Sequence, residues 1–230
     1  MTKLDLEWGI EGLKGALKRN DNIVIIDQLR FSSTVVTATA LGFVIEPTTD
    51  KARKTESYSL SPRSFFGKRP GRVVIASPNG AFLSLNAKSA KRVVYGSILN
   101  AKSVAEWIDG INEDTTLIAA GEVGEERFPF MADDEKALTK TNSIFDFEDF
   151  LAAGAISSFC KLEKAKECVE AEKFFLQSRN RIVEVLRDTS SHRYNASRGN
   201  GPDTDEVGKL NFYKVVPKLH EVDGVVEIRQ

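Results

Sequence analysis

The segment 22–42, NIVIIDQLRFSSTVVTATALG, decides the fold of this chain. Its first part, 22–27, is a short β-branched run that ends in an aspartate, which is typical of a strand buried on both faces. Small and hydroxyl-bearing residues follow and predict a helix, with Ser32 or Ser33 as its N-cap and Gly42 as its C-cap. The segment is therefore predicted to form a strand, a polar turn and a helix.

The same unit recurs further along the chain. Four more short apolar runs, each ending in small, polar or glycine residues, predict strands at 43–49, 72–77, 92–97 and 115–121. Between them, apolar residues at helical spacing predict helices at 81–90 and 100–111. Strands that alternate with helices of this length imply a three-layer α/β/α fold with a largely parallel sheet.

We divide the chain into three parts. Residues 1–124 are predicted to form an N-terminal α/β part that carries the active site at its strand ends. Residues 125–146 are rich in charge and have no clear period, so we interpret them as an insertion loop or lid. Residues 147–230 are predicted to form a C-terminal part packed on the same core.

The C-terminal part is predicted to be α+β. A helix at 147–161 starts with acidic residues, and one or two charged amphipathic helices follow within 162–189. Residues 190–206 are polar and contain glycine, which predicts a loop. Two short strand-like pieces follow, around 215–217 and 225–228.

Composition limits the classes of partner. The chain has 230 residues, and its 32 basic and 33 acidic residues nearly cancel, so no global field favours nucleic acid or an anionic membrane. No run approaches the roughly 18 apolar residues of a membrane span, and no signal peptide is recognisable. We expect a cytoplasmic protein that acts on small molecules and forms a homodimer, in which short C-terminal strands pair between copies.

Polar residues at the end of the first predicted strand point to phosphate chemistry, because open α/β sheets bind ligands outside the carboxyl ends of their strands. Asp27 can hold a divalent cation and Arg30 can fork two phosphate oxygens. Ser33 and Thr34 add hydroxyl groups at a helix N-terminus, where free N–H groups favour anions. The alternative is structural, with Ser33 as a helix cap and Asp27 paired to Arg30.

Two later turns are candidate phosphate-binding elements. Asn79 and Gly80 form a dipeptide that allows a left-handed turn and exposes backbone N–H groups at a helix start. Ser97 and Asn100 repeat this arrangement after the next strand. Each turn taken alone is also compatible with a purely structural role.

Further carboxylates follow the strand predicted at 115–121 and begin the 147–161 helix. Glu122 and Asp149, together with Asp27, are predicted to bind Mg²⁺, which prefers oxygen ligands and keeps water molecules that a phosphate can displace. The helix dipole alone accounts for Glu148. His192 and Arg193 are candidates for the substrate anion, and the alternative for them is a solvated loop.

Taken together, these segments resemble the 2-phosphosulfolactate phosphatase family. The resemblance rests on IDQLRFSST (26–34), Ser61-Pro62, SPNG (77–80), GSILNA (96–101), AGE (120–122), FED (147–149), AGAI (153–156) and Val216-Pro217. It implies an α/β/α fold, a Mg²⁺ cofactor, and hydrolysis of the phosphate ester of a small anionic hydroxy acid, as in coenzyme M biosynthesis. Arg63, beside the Ser61-Pro62 step, is assigned with His192 and Arg193 to the substrate anion.

The chain departs from the family pattern before the Ser61-Pro62 step. The family has a Gly-Gly-Glu-Arg-like segment there, whereas residues 53–65 read RKTESYSLSPRSF. The late Ser-Ser-His is followed by Arg193 where the family favours glycine. A non-catalytic protein that binds an anionic metabolite is therefore the rival hypothesis, and an enzyme acting on a different small phosphorylated acid is another.

Two mechanisms are compatible with these residues. The attacking group is either a metal-bound water, with a carboxylate taking its proton, or Asp27 itself through an aspartyl-phosphate. We favour water, because Asp27 lacks the DxD companion of aspartyl-phosphate phosphatases. Asp27, Arg30 and Asp149 are the predicted catalytic residues in either case.

Overall fold

A computed structural model describes residues 2–123 and 143–230. Within these residues the strands are β1 (Lys3–Trp8), β2 (Asn22–Ile26), β3 (Val44–Thr48), β4 (Arg72–Ala76), β5 (Val93–Gly96), β6 (Thr115–Ala119), β7 (Glu122–Val123), β8 (Ser143–Ile144), β9 (Glu163–Lys164), β10 (Lys218–Val222) and β11 (Val225–Arg229). The helices are α1 (Gly9–Arg19), α2 (Phe31–Ala40), α3 (Gly80–Asn86), α4 (Ala101–Ile111), α5 (Phe147–Phe159), α6 (Lys166–Ser178), α7 (Ile182–Arg187), α8 (Ser190–Ser197) and α9 (Asp203–Val207).

Nine of these strands form one mixed, largely parallel sheet in the order β4-β3-β11-β10-β5-β2-β6-β1-β9. The pairs β3–β4, β5–β2, β2–β6, β6–β1 and β1–β9 are parallel. The antiparallel hairpin β10–β11 lies between β5 and β3 and is antiparallel to both. Its two-residue turn, Asp223-Gly224, has positive φ at both positions, as hairpin turns of this length require.

The prediction of three layers is confirmed. Strand β2 is buried along its whole length, and its side chains alternate between two separate cores. Ile23 and Ile25 pack with residues of α1, α2 and α3, whereas Val24 and Ile26 pack with residues of α4, α5 and α6. Helices therefore cover both faces of the sheet, as a strand that is apolar on both faces predicts.

The sequence reasoning missed the first two elements. In β1 only Leu4 and Leu6 are deeply buried, and they alternate with the charged residues Lys3, Asp5 and Glu7, so the run has no continuous apolar stretch. Helix α1 contains three glycines, which have low helix propensity, yet it packs through Leu13 and Ala16 and ends at Asn20 in the left-handed conformation.

The predicted caps of α2 need a correction at its start. Ser32 and Ser33 lie inside the helix, and the N-cap position belongs to Arg30, whose side chain makes no capping bond. The carboxylate of Asp27 accepts the N–H of Phe31 instead, because the chain folds back on the residue that ends β2. Gly42 lies just past the helix end with φ of +85°, as predicted.

The interpretation of 190–206 as a loop is wrong. Thr189 caps α8 by accepting the N–H of His192 at 3.2 Å, and a second short helix, α9, follows. Polar residues do not prevent helix formation here, because Ser191 and Asn195 are buried against the rest of the domain. The strand predicted around 215–217 begins later, at Lys218.

Of the predicted loop or lid at 125–146, residues 125–142 lie outside the described residues. The next two residues form β8, which pairs with β7. Asp146 then holds the N-cap position of α5. Within 2–123 and 143–230, none of the helices has both the length and the apolar character needed to cross a membrane.

Candidate active site

Asp27, the first residue after β2, ties the central strand to the start of two helices. Its Oδ1 accepts the N–H of Phe31 at 2.9 Å, and its Oδ2 accepts the N–H of Gly80 at 3.0 Å. Ser32 stabilises the turn between them, since its hydroxyl donates to the carbonyl of Asp27 and accepts from its N–H. The carboxylate is 8% exposed and sits where α2 and α3 begin.

Asp149 makes a matching arrangement from the first turn of α5. Its Oδ1 accepts the N–H of Gln28 at 2.7 Å, and its Oδ2 accepts the N–H of Gly121 at 2.9 Å. It therefore holds the chain just after β2 and just after β6, two neighbouring parallel strands. We call Asp27 and Asp149 the acidic pair; the structure brings these two predicted residues together at the same edge of the sheet.

Burial and neighbouring negative charge disfavour the ionised form of both carboxyl groups in the acidic pair. Burial raises the pKa of Asp27 to about 6, although hydrogen bonds from Phe31 and Gly80 oppose the shift. Burial likewise raises the pKa of Asp149 well above its usual range, and the charges of Asp27 and Glu148 add to the effect. Carboxylates crowded into a dry environment favour a bound proton or cation. The acidic pair is therefore suited to hold a proton or a cation.

Arg30 is the cation beside this pair, and its charge partly opposes the rise that burial causes in the pKa of Asp27. Its Nη1 donates to Oδ2 of Asp203, and Ser61 donates to Oδ1 of the same aspartate at 2.7 Å. The side chain of Arg30 is only 10% exposed. Its Nε is buried and has no hydrogen-bond partner among the described residues. A donor in this state is suited to an anionic ligand.

The Asn79-Gly80 turn approaches the acidic pair, but not by the predicted geometry. Asn79 has φ of −100° and Gly80 begins α3, so neither residue adopts the left-handed conformation. Glycine is required at position 80 for space, because a Cβ atom there would lie 2.2 Å from the ring of Phe31. The Nδ2 of Asn79 donates to Gly121 O at 3.2 Å. Its buried Oδ1 has no partner in the described chain.

Ser33 and Thr34 differ in what their hydroxyl groups do. The Oγ of Ser33 donates to the carbonyl of Gln28 at 2.8 Å, so the side chain already has a structural partner. The Oγ1 of Thr34 is buried and, within 2–123 and 143–230, has no hydrogen-bond partner. Of Ser33 and Thr34, it is therefore Thr34 whose hydroxyl group has no partner among the described residues and could bind a phosphate oxygen.

Ser97 and Asn100 form a capping box after β5. Ser97 accepts from Leu99 N, and Asn100 Oδ1 accepts from Ser97 N at 2.9 Å. The amide of Asn100 donates to the carbonyls of Tyr95 and Val215, both at 3.0 Å. These bonds account for both side chains structurally, and phosphate binding by them stays a prediction.

The residues assigned to the substrate anion lie at the surface or have hydrogen-bond partners of their own. Arg63 and Arg193 are exposed, and Nη1 of Arg193 donates to the carbonyl of Asp188 at 2.7 Å. The Nδ1 of His192 lies 2.7 Å from Oγ1 of Thr204. Their contact with a substrate stays a prediction.

Glu122, the third predicted metal ligand, lies on β7, where its Oε1 is 3.5 Å from the hydroxyl of Ser191. Within the part of the chain that the structure describes, no group of three or more His, Cys, Asp or Glu side chains is arranged to hold a metal ion. A three-carboxylate cage of Asp27, Glu122 and Asp149 is therefore not formed among these residues.

Gln28 was missed by the sequence reasoning, although it is completely buried behind the acidic pair. Its Nε2 donates to the carbonyl of Val207, and its Oε1 accepts the N–H of Ile98, both at 3.0 Å. One side chain thus joins the ends of β2 and β5 to α9. The available signal was a polar side chain two residues after the apolar run Ile23–Ile26, since such a position is buried and needs partners.

The sequence was also compared with known proteins. The family model of 2-phosphosulpholactate phosphatase matches residues 51–222. A protein of Carboxydothermus hydrogenoformans, named "Probable 2-phosphosulfolactate phosphatase", is 27% identical over 96% of this chain and 95% of its own length. Proteins with the same name from Clostridium beijerinckii and Thermotoga petrophila are 24% and 25% identical, and they cover 95% and 90% of this chain and 97% and 92% of their own lengths.

Proposed function

The chain belongs to the 2-phosphosulpholactate phosphatase family, a family of phosphoric monoester hydrolases, and on this premise we propose which reaction it performs. The proposed reaction is Mg²⁺-dependent hydrolysis of the phosphate ester of a small anionic hydroxy acid, 2-phosphosulfolactate or a close relative, as a step in coenzyme M biosynthesis. The observation that carries the proposal is a buried acidic pair at the end of the central strand, next to an arginine whose buried Nε has no hydrogen-bond partner among the described residues.

Arg30 is proposed to bind the phosphate. A phosphate monoester presents several negatively charged oxygens, and a guanidinium offers them donors in a fixed planar fork. The buried Nε of Arg30 and the hydroxyl of Thr34, one helical turn further along α2, both lack partners among the described residues. A bound phosphate would satisfy both of these groups. We therefore assign phosphate recognition to the start of α2.

The acidic pair is proposed to hold Mg²⁺. This ion is usually bound by one or two carboxylates, with water and substrate phosphate completing its shell, so a cage of three carboxylates is not needed. Each oxygen of the acidic pair accepts one backbone N–H, which leaves it a second lone pair for a cation. When bound, Mg²⁺ would polarise the phosphoryl group and neutralise charge on the leaving oxygen.

Attack by water is the mechanism that the geometry favours. Both oxygens of Asp27 are fixed by the N–H groups of Phe31 and Gly80, which lowers their nucleophilicity and restricts their approach to phosphorus. We propose that one carboxylate of the acidic pair takes the proton of the attacking water and that Arg30 holds the phosphate in line.

The first test is a phosphate-release assay on phosphosulfolactate, phospholactate and an aryl phosphate, with and without Mg²⁺. Asp27→Asn should abolish Mg²⁺-dependent release, whereas Asp205→Asn, which removes an exposed carboxylate from α9, should not change it. Equal activity of Asp27→Asn and wild type would contradict the site. Absence of turnover with retained phosphate binding would identify the protein as the metabolite-binding alternative.

The cytoplasmic location and the homodimer stay proposals that follow from the sequence. The predicted pairing of C-terminal strands between copies is wrong, because β10 and β11 lie inside the sheet of one chain, between β5 and β3. Sedimentation at micromolar concentration tests the dimer, and cell fractionation tests the location. A monomer in sedimentation would remove the dimer from the proposal without affecting the catalytic assignment.

A further inference from the structure

Asp203 is a buried charge that the sequence did not single out. Its side chain is 2% exposed, and it lies in α9, 173 residues away from Arg30 in the chain. A buried carboxylate is costly unless its oxygens are paired and hydrogen-bonded. Here both are occupied, Oδ2 by the guanidinium of Arg30 and Oδ1 by the hydroxyl of Ser61. The aspartate thus joins α9 to the start of α2 and to the Ser61-Pro62 turn.

This link fixes the plane of a guanidinium. The five N–H donors of arginine are held in a rigid fork, so anchoring Nη1 on a carboxylate also sets the direction of Nε. In Arg30 that Nε is buried and without a partner among the described residues, and the guanidinium is close enough to the acidic pair for its charge to act on Asp27. An unsatisfied buried donor costs free energy unless a ligand meets it.

We infer that Asp203 is a positioning residue, which together with Ser61 holds Arg30 so that its Nε meets a phosphate oxygen. This inference rests on the proposed function, because it supplies the geometry by which the phosphate is recognised. It assigns a role to α9 and to the Ser61-Pro62 turn, which otherwise have no part in the chemistry.

A double-mutant cycle on Arg30 and Asp203 tests the inference. Arg30→Lys and Asp203→Asn should each lower kcat/KM about 10- to 100-fold, since a displaced phosphate ligand costs on this order. Because Asp203 is inferred to act through Arg30, the double variant should be no more than about threefold worse than Arg30→Lys alone. Losses that multiply in the double variant would overturn the inference, because they show that the two residues act independently.

Matched variants separate positioning from general stability. Asp205→Asn changes the same helix and the same charge at an exposed position, so kcat/KM should stay within about twofold of wild type. Ser61→Ala removes only one hydrogen bond of Asp203 and should lower kcat/KM about 3- to 10-fold even if Asp203→Asn does not fold. Wild-type kcat/KM in folded Ser61→Ala would refute the role of the Ser61–Asp203 contact.

Failure of the proposed function is distinguishable from failure of this inference. If wild type hydrolyses none of the phosphate esters, calorimetry with inorganic phosphate replaces the assay for the same variants. Arg30→Lys and Asp203→Asn should then each weaken phosphate binding about 10-fold, and the double variant should bind no more weakly. Unchanged binding in Asp203→Asn, or absence of phosphate binding by wild type, would overturn the inference.

Discussion

Replacing Asp27 by asparagine should change how stability depends on pH. The folded protein holds the pKa of this carboxyl near 6, whereas its ordinary value is 3.8. Between these two pH values the folded chain keeps a proton that the unfolded chain has released, so unfolding releases a proton and stability falls as pH rises. The contribution of Asp27 is complete below about pH 4 and is lost above about pH 6.

The size of this change follows from the pKa values. A carboxyl whose pKa moves from 3.8 to about 6 changes the free energy of unfolding by about 3 kcal/mol across that range. Asparagine does not titrate, so the stability of wild type relative to Asp27→Asn should fall by about this amount as pH rises. Any hydrogen bond that asparagine cannot make lowers the stability of the variant by an amount that does not depend on pH. Coupling to Asp149 acts in the same direction.

Urea denaturation with chelator present, at intervals between about pH 4 and pH 7, measures the difference. Asp205→Asn is the control, because it removes an exposed carboxylate, and its difference from wild type should vary by less than about 0.5 kcal/mol. A wild-type-minus-Asp27→Asn difference that is flat across this range would refute the reasoning. A difference that increases with pH would show that the site lowers the pKa of Asp27.

Three further outcomes are expected. Gly80→Ala should cost about 1–3 kcal/mol in urea denaturation and reduce phosphatase activity, because the new Cβ meets the ring of Phe31 at 2.2 Å; full stability would contradict this close contact. Gly154→Ala should cost a similar amount, since its Cβ would lie 2.0 Å from the carbonyl of Ala171. Gly110→Ala lies in α4 with no atom within 4 Å of the new Cβ, so it should stabilise the protein by about 0.5–1 kcal/mol. Melting temperatures equal to that of wild type in both variants would contradict these two expectations. Mg²⁺ should raise the melting temperature more at about pH 7.5 than at about pH 5, because protons compete for the acidic pair, and a shift independent of pH would argue against binding there.

Strand ends were the part of the site that the sequence predicted best. Asp27 was recognisable because the apolar run 23–26 stops at it, and Asp149 because it lies at the start of the helix predicted at 147–161. Neighbouring parallel strands bring their carboxyl ends together, and Asp149 reaches this edge from α5 through its bonds to Gln28 and Gly121. The prediction of a three-layer fold follows from the same alternation of strands and helices.

Turn residues were harder to assign, because a hydroxyl or amide beside a strand can serve its own backbone or a ligand. Asn100 has the same kind of sequence context as Asn79, yet its amide is used by two carbonyls, whereas Oδ1 of Asn79 has no partner in the described residues. Only the three-dimensional path of the chain distinguishes these cases.

Asp203 could not be identified from sequence for a related reason. It shares a short acidic run with Asp205, and nothing local separates them. In the structure Asp203 is buried against Arg30, whereas Asp205 is about half exposed and pairs with Arg187 at the surface. The difference arises from the face of α9 that packs inward, which depends on contacts with residues far away in the chain.

The position of the β10–β11 hairpin sets an order of events during folding. Strands β3 and β4 are made early, but in the finished sheet they are separated from β5 by residues 218–229. The pair β3–β4 therefore cannot be joined to the group that begins with β5 until this hairpin has been synthesised. Until then β3 and β5 each present an open edge to other chains. Closure of the sheet depends on contacts between residues far apart in the chain, such as Ile45 with Ile228, and such contacts form slowly. Newly made chains that lack the hairpin should thus need protection from aggregation.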